Sequence, residues 1–194
     1  KVISRCGTGL DSVDLAAAKR HNIAVSNTPE APAQAVAELT LGLMLTTLRQ
    51  ISQTDRMLRS GEWPRMQGHL LAAQSVGIVG MGHIGRRVAR LCQAFEATVI
   101  AHDPFLQQTL QDVTFMPLEQ LLTEADIISL HLPYSADTHH LLNEAAFSRM
   151  KTGAIVINAA RGGLVDEIAL YDALTSGHLG GAALDVFEQE PYHG

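Results

Sequence analysis

The chain has 194 residues, 46% of them hydrophobic and 18% charged, enough to bury a core as one domain or as one domain plus a piece of another. Its net charge of −6 gives no basic footprint for nucleic acid, and no apolar run is long enough to span a bilayer. The two cysteines, Cys6 and Cys92, lie too far apart to suggest a disulfide framework, and no signal peptide is legible, so a reducing cytoplasm is the expected setting.

Val2 to Ser4 reads as the end of a strand, so the chain is expected to begin inside a larger fold. A loop with two glycines follows, Arg5-Cys6-Gly7-Thr8-Gly9-Leu10-Asp11, and opens a short helix that Asp11 or Ser12 can cap and Asn22 closes. Ile23 to Ser26 is the next strand. From Ala33 to Arg59 the spacing predicts one long helix, with Val36, Leu39, Leu43, Thr47 and Ile51 recurring on one side and Leu41, Met44, Leu45 and Leu48 widening it. An apolar face that broad is expected either between domains or against a second copy of the chain. Gly61 ends the helix, and Glu62-Trp63-Pro64 begins an irregular connector in which Trp63 is expected to pack or to meet an interface.

The stretch from Ser75 to Gly85 organises the rest. Val76, Ile78 and Val79 suit a buried strand, and Gly80-Met81-Gly82-His83-Ile84-Gly85 fits G-x-G-x-x-G ahead of a helical pattern from Arg86 to Phe95. In such a turn Gly80 allows the tight exit, Gly82 lets a pyrophosphate approach the backbone, and Gly85 lets helix and strand pack closely. The helix start then offers N–H groups and the positive end of its dipole to the phosphates. A second strand, Thr98 to Ala101, ends at His102-Asp103. Asp103 lies 18 positions after Gly85 (103 − 85), near the spacing of a carboxylate that accepts from the adenosine ribose.

An edge strand from Val113 to Met116, a brief helix at Leu118, Leu121 and Leu122, and a buried strand from Asp126 to Leu130 follow. Next come a helix from Asn143 to Met150, a strand from Ala154 to Asn158, a helix from Asp166 to Ser176 and a last strand from Gly181 to Leu184. Strands alternating with helices predict an α/β fold with a Rossmann-type, doubly wound parallel sheet. Polar residues fall at the carboxyl ends of the strands: Asp103, His131, Asn158 with Arg161, and Asp185. In open parallel sheets that edge is where ligands lie.

Four blocks together resemble the D-isomer-specific 2-hydroxyacid dehydrogenases, a family that includes phosphoglycerate dehydrogenases. They are Arg5 to Asp11, Val79 to Gly85, Asn158-Ala159-Ala160-Arg161-Gly162-Gly163-Leu164-Val165-Asp166-Glu167, and Ala183-Leu184-Asp185-Val186-Phe187-Glu188-Gln189-Glu190-Pro191. The resemblance implies an NAD-dependent oxidoreductase acting on a D-2-hydroxy acid of phosphoglycerate, glycerate, hydroxypyruvate or lactate type. It implies that Arg161 is the catalytic arginine and Glu190 the carboxylate that orients an acid/base histidine. It assigns the cofactor to Gly80, Gly82, His83, Ile84, Gly85, Asp103, Leu132, Pro133, Thr138, Ala159, Ala160 and Asp185, and the substrate carboxylate to Thr8 and Gly9 with Arg5 nearby. It also implies a homodimer. A planar guanidinium suits the assigned task, because it can hold a carboxylate and a neighbouring oxygen together. The competing assignment for Arg161 is an ion pair with Asp166, and for Glu188 a solvated loop carboxylate.

The family's histidine block is expected beyond Gly194, with His193 too close to Glu190 to replace it, so the chain as given is expected to bind NAD without useful turnover. Residues 1–28 are read as the tail of a flavodoxin-like substrate-binding domain and hinge, and 29–194 as the NAD-binding domain. A second reading, from another class, is an NAD-binding corepressor-like module on the same fold. A homocysteine-hydrolase-like Rossmann protein is a third, opposed by the blocks at Arg161 and Glu190. His139-His140 has no carboxylate or thiol at ligand spacing, so no metal is expected. Cys6 is expected to be a packing residue.

Overall fold

The computed structural model describes residues 1–63, 65–106 and 110–193. Pro64 of the expected connector and Gly194 at the end of the expected domain lie outside the described residues. The described residues form two parallel sheets. In the smaller, β1 (Val2–Arg5) pairs with β2 (Ala24–Asn27). The larger contains β3 (Ser75–Val79), β4 (Thr98–His102), β5 (Thr114–Phe115), β6 (Ile127–Leu130), β7 (Ile155–Asn158) and β8 (Gly181–Leu184), in the spatial order β5-β4-β3-β6-β7-β8. Counted from β3, that is the doubly wound order 3-2-1-4-5-6, and the direction of winding reverses between β3 and β6.

The sequence pattern explains the layers. All residues of β6 and β7 are buried, as expected of parallel strands covered on both faces. On one face Val79, Ile128, Leu130 and Val156 pack with Leu121, Leu122, Phe147 and Leu170. These last come from α5 (Leu118–Glu124), α6 (Glu144–Arg149) and α7 (Glu167–Thr175). On the other face Val76, Ile78, Ile127 and Ile157 pack with Met44, Leu48, Val88 and Cys92, from α2 (Ala33–Leu48) and α4 (His83–Ala94). Burying each such side chain contributes roughly 1.5–3 kcal/mol. Gly77 points at α5, where a methyl group would press on Leu121 Cδ2 (2.7 Å) and Ala125 Cβ (2.9 Å), so the glycine sets how closely that helix approaches the sheet.

The expected single helix from Ala33 to Arg59 is two helices, α2 and α3 (Ile51–Arg59), broken at Gln50, whose φ is +53°. The cause is a contact from the connector: His69 N–H donates to Leu48 O (3.0 Å), taking a carbonyl that an unbroken helix would use internally. The buried stripe is also rotated from the expected one. Ala33, Ala37, Thr40, Met44 and Leu48 are covered, whereas Leu39 and Ile51 are exposed. In a segment apolar all round, the small residues mark the face that approaches its neighbour.

Capping also differs at one helix. α1 (Leu15–Arg20) is capped by Asp14, whose Oδ1 accepts from Ala17 N (2.7 Å), rather than by Asp11 or Ser12. Asn22 closes the turn with φ +51°. Asn143 caps α6, and Asp166 caps α7 by accepting from Ile168 N and Ala169 N. Trp63 is 83% exposed, so within the described residues it has no packing role. No helix among the described residues is long and apolar enough to cross a membrane.

Candidate functional site

The site lies at the reversal between β3 and β6. Gly80 leaves β3 with φ +95°, and a Cβ there would press on the His131 carbonyl, 2.6 Å from its oxygen. Inside α4, a methyl group on Gly85 would overlap Gly80 O. Gly82, the residue before α4, has nothing within 4 Å of where a Cβ would be, so the backbone there is open to a ligand. The N–H groups of His83 and Ile84 belong to the first helical turn and have no intrahelical acceptor. Asp103 follows β4 directly beside this turn. Its Oδ2 accepts from Met81 N (2.9 Å) and its Oδ1 from Phe105 N (2.9 Å). An open backbone, a free helix start and an adjacent carboxylate fit a dinucleotide.

A cleft of about 920 Å³ opens in front of the turn. It brings together most of the residues singled out in the sequence: Arg5, Thr8, Gly9, Gly82, His83, Ile84, Leu132, Pro133, Ala159, Ala160, Arg161 and Glu190 all line it. Gly80, Gly85, Asp103, Thr138 and Asp185 do not. The two glycines and Asp103 shape the turn from behind. Thr138 Oγ1 accepts from Ser135 N (2.7 Å) and donates to Pro133 O (3.0 Å), and so holds the loop after β6. Asp185 is exposed just past β8, its N–H bonded to Asn158 O (2.9 Å).

Arg161 follows β7 on a turn shaped by buried Asn158, whose Nδ2 donates to Arg161 O (2.9 Å) and whose Oδ1 accepts from Ala160 N (3.1 Å). The pairing weighed against its catalytic role, with Asp166, is not made, because that carboxylate caps α7. Instead Arg161 Nε donates to Asp11 Oδ2 (2.9 Å), Nη2 lies 2.8 Å from the same oxygen, and Nη1 donates to Ala160 O (2.6 Å). Behind it, a methyl group on Gly162 would overlap the Phe187–Glu188 backbone, which brings the segment carrying Glu190 against the arginine turn. Glu190 Oε1 accepts from Phe187 N (3.0 Å).

Glu188 is not a solvated loop carboxylate. It pairs with His140 Nε2, while its own N–H donates to Glu167 Oε1 (2.7 Å). His140 Nδ1 is also 3.7 Å from Asp166, and the His139 ring stacks on it at 3.8 Å. Carboxylates therefore do stand beside this pair, brought there by the fold, since Glu188 is 48 positions away in sequence. Among the described residues, no group of three His, Cys, Asp or Glu side chains could hold a metal ion. Cys6 is exposed rather than packed. Cys92 is buried, which pushes its thiol up to about 12.

Asp11, which the sequence offers only as a helix cap, is a cleft residue found through its partner. His131, which the sequence already places at the carboxyl edge of the sheet, sits in the cleft at the winding reversal. Its Nε2 shares a hydrogen bond with Ser129 Oγ (2.8 Å), while Nδ1 is sealed from solvent without a partner among the described residues. Burial pushes its pKa down to about 4, so the ring is neutral at neutral pH.

The model of the "D-isomer specific 2-hydroxyacid dehydrogenase, NAD binding domain" family matches residues 41–194. Hydroxypyruvate reductase of Thermotoga maritima is 43% identical over 193 residues, covering 98% of this chain and 63% of its own. D-3-phosphoglycerate dehydrogenase of Archaeoglobus fulgidus is 40% identical over 196 residues, covering 98% of this chain and 37% of its own. The crystal structure of D-lactate dehydrogenase from Aquifex aeolicus, complexed with NAD and lactic acid, matches with a TM-score of 0.91 at 35% identity, over 98% of this chain and 59% of that one. The chain thus spans 37–63% of the length of these relatives. With the strand order, the phosphate turn and the arginine turn all in place, the chain belongs to the D-isomer specific 2-hydroxyacid dehydrogenase family and carries its NAD-binding domain.

Proposed function

We propose that this chain serves an NAD-dependent oxidoreductase that interconverts a D-2-hydroxy acid and its 2-keto acid, of phosphoglycerate, glycerate, hydroxypyruvate or lactate type. The observation that carries this reading is that the Arg161 guanidinium lines the same cleft as the open helix start at Gly82–Ile84. NAD, when bound, supplies the two-electron chemistry at the substrate's C2. Gly80, Gly82, His83, Ile84 and Gly85 would form the pyrophosphate cradle, with Asp103 at the ribose and Asp185 at the carboxamide. Leu132, Pro133, Thr138, Ala159 and Ala160 would complete the cofactor's walls. Arg161 binds the substrate's carboxylate and 2-oxygen, and stabilises charge on that oxygen when the carbonyl is reduced. The Thr8 and Gly9 backbone, with Arg5 nearby, receives the carboxylate beside the guanidinium. Glu190 orients a histidine that exchanges a proton with the 2-oxygen.

On this reading residues 1–28 belong to a substrate-binding domain and hinge, and 29–194 to the NAD-binding domain. The partners are then a small 2-keto acid and a second copy of the chain, without nucleic acid. The two free cysteines and the net charge of −6 support a cytoplasmic setting without a polyanion. The test is NADH oxidation by the complete protein with glyoxylate, hydroxypyruvate and pyruvate. Arg161→Lys should lower kcat/KM about 10²- to 10³-fold, as loss of an oxyanion donor does, while NADH binding stays intact. A complete protein that binds NADH yet reduces none of these acids would overturn the reading.

A further inference from the structure

We propose that Asp11 is the positioning residue for Arg161: from the loop after β1 it grips one edge of the guanidinium across the cleft and fixes the direction of the other. This rests on the reading of Arg161 as the residue that binds the 2-keto acid.

The geometry divides the guanidinium in two. Nε and Nη2 both meet Asp11 Oδ2, at 2.9 and 2.8 Å, and Nη1 donates to Ala160 O at 2.6 Å. A guanidinium has five N–H donors in one plane. Among the described residues each terminal nitrogen makes one hydrogen bond, so each keeps one N–H to offer a ligand. An arginine side chain free in a cleft would be spread over several rotamers, whose loss weakens binding. Anchors on both sides, one of them 150 residues away in sequence, hold it in one.

The surroundings are shaped for this contact. The pair lies against Gly9, where a methyl group would overlap Arg161 Nη2 and come within 2.7 Å of Asp11 Oδ2. Asp11 has no local task that would otherwise account for it, since Asp14 caps α1. The Asp11 side chain is 58% exposed, and ion pairs that open to water add little to stability. A carboxylate lining a cleft for an anionic substrate also repels that substrate. An acid at this point is therefore a liability unless it orients the arginine and is neutralised by it.

The complete protein with NADH bound provides the test, read by steady-state kinetics and by binding of oxamate, an unreactive 2-keto acid mimic. Asp11→Asn should leave the NADH dissociation constant within about twofold while lowering kcat about 10- to 100-fold, the scale of a misplacement near 1 Å. Oxamate binding should weaken about tenfold, and Asp11→Glu, which restores the charge, should recover part of the loss in kcat. Gly9→Ala, whose methyl group would crowd both Arg161 Nη2 and Asp11 Oδ2, should lower kcat in the same way without removing either charge. In an Arg161→Gln background, Asp11→Asn should no longer lower residual kcat, because no guanidinium remains to be held and the repulsion of the anionic substrate is relieved. An unchanged or raised kcat in Asp11→Asn, or an equal loss in both backgrounds, would overturn the assignment while leaving the 2-keto acid reading intact. A wild-type protein that binds NADH but neither reduces a 2-keto acid nor binds oxamate would overturn both.

Discussion

His131 makes the stability of the domain depend on acid in a way that can be calculated. Its ring nitrogens are shielded just past the end of β6, with Nδ1 sealed and Nε2 tied to Ser129, and burial pushes its pKa from 6.5 to about 4. Above pH 6.5 the ring is neutral in both folded and unfolded chains, and its full contribution to stability is present. Between 6.5 and 4 the unfolded chain takes up a proton that the folded chain refuses, so stability falls as pH falls. Below 4 both forms are protonated and the loss is complete. The two pKa values lie about 2.5 apart, so the complete loss is about 3 kcal/mol, of which about 2.5 kcal/mol falls between pH 7.5 and 4.5. For a domain of this size that corresponds to about 5–10 °C in Tm. Urea denaturation of the wild type and His131→Asn at pH 7.5, 6.0 and 4.5 measures it. Asparagine cannot titrate, and every other ionisable group contributes equally to both proteins. The variant should lose about 2.5 kcal/mol less than the wild type across that range, whatever its baseline stability at pH 7.5. Equal losses would show that the ring is protonated in the folded protein and would refute the reasoning.

Asp103→Ser should narrow the preference for NADH over NADPH by about tenfold or more, because the adenosine 2′-phosphate would no longer meet a carboxylate; fluorescence titration with each cofactor measures it, and an unchanged ratio removes Asp103 from the ribose. If α2 carries the homodimer contact, sedimentation equilibrium at micromolar concentration should show twice the chain mass. Leu39→Glu, at a 41% exposed position of α2, should then shift the equilibrium to monomer; a wild type that sediments only as monomer rules out the dimer.

The elements legible in the sequence are those whose causes are local. β3, β6 and β7 are legible because strands buried on both faces must read as apolar runs, and their partners in a parallel sheet must be reached through helices. Asn143 and Asp166 mark helix starts because a side-chain oxygen there meets N–H groups two or three residues on. The turn from Gly80 to Gly85 announces itself by spacing, and the strand-end rule places His131, Asn158 and Arg161 at one edge.

Contacts between residues far apart in the chain come from the fold alone. The break at Gln50 depends on His69 reaching Leu48 O, which no periodicity within the helix records. Which face of α2 is buried is set by α4 and the sheet, and a helix apolar all round carries no mark of it. Glu188 finds His140, and Arg161 finds Asp11 rather than nearby Asp166, only because the sheet order lays those loops side by side. The low pKa of His131 likewise comes from burial, which no local pattern records. Local pattern extends over the few residues that share a turn of helix or a pleat of strand. The cleft is assembled by strand order, which joins positions as much as 150 residues apart, and its chemistry is settled there.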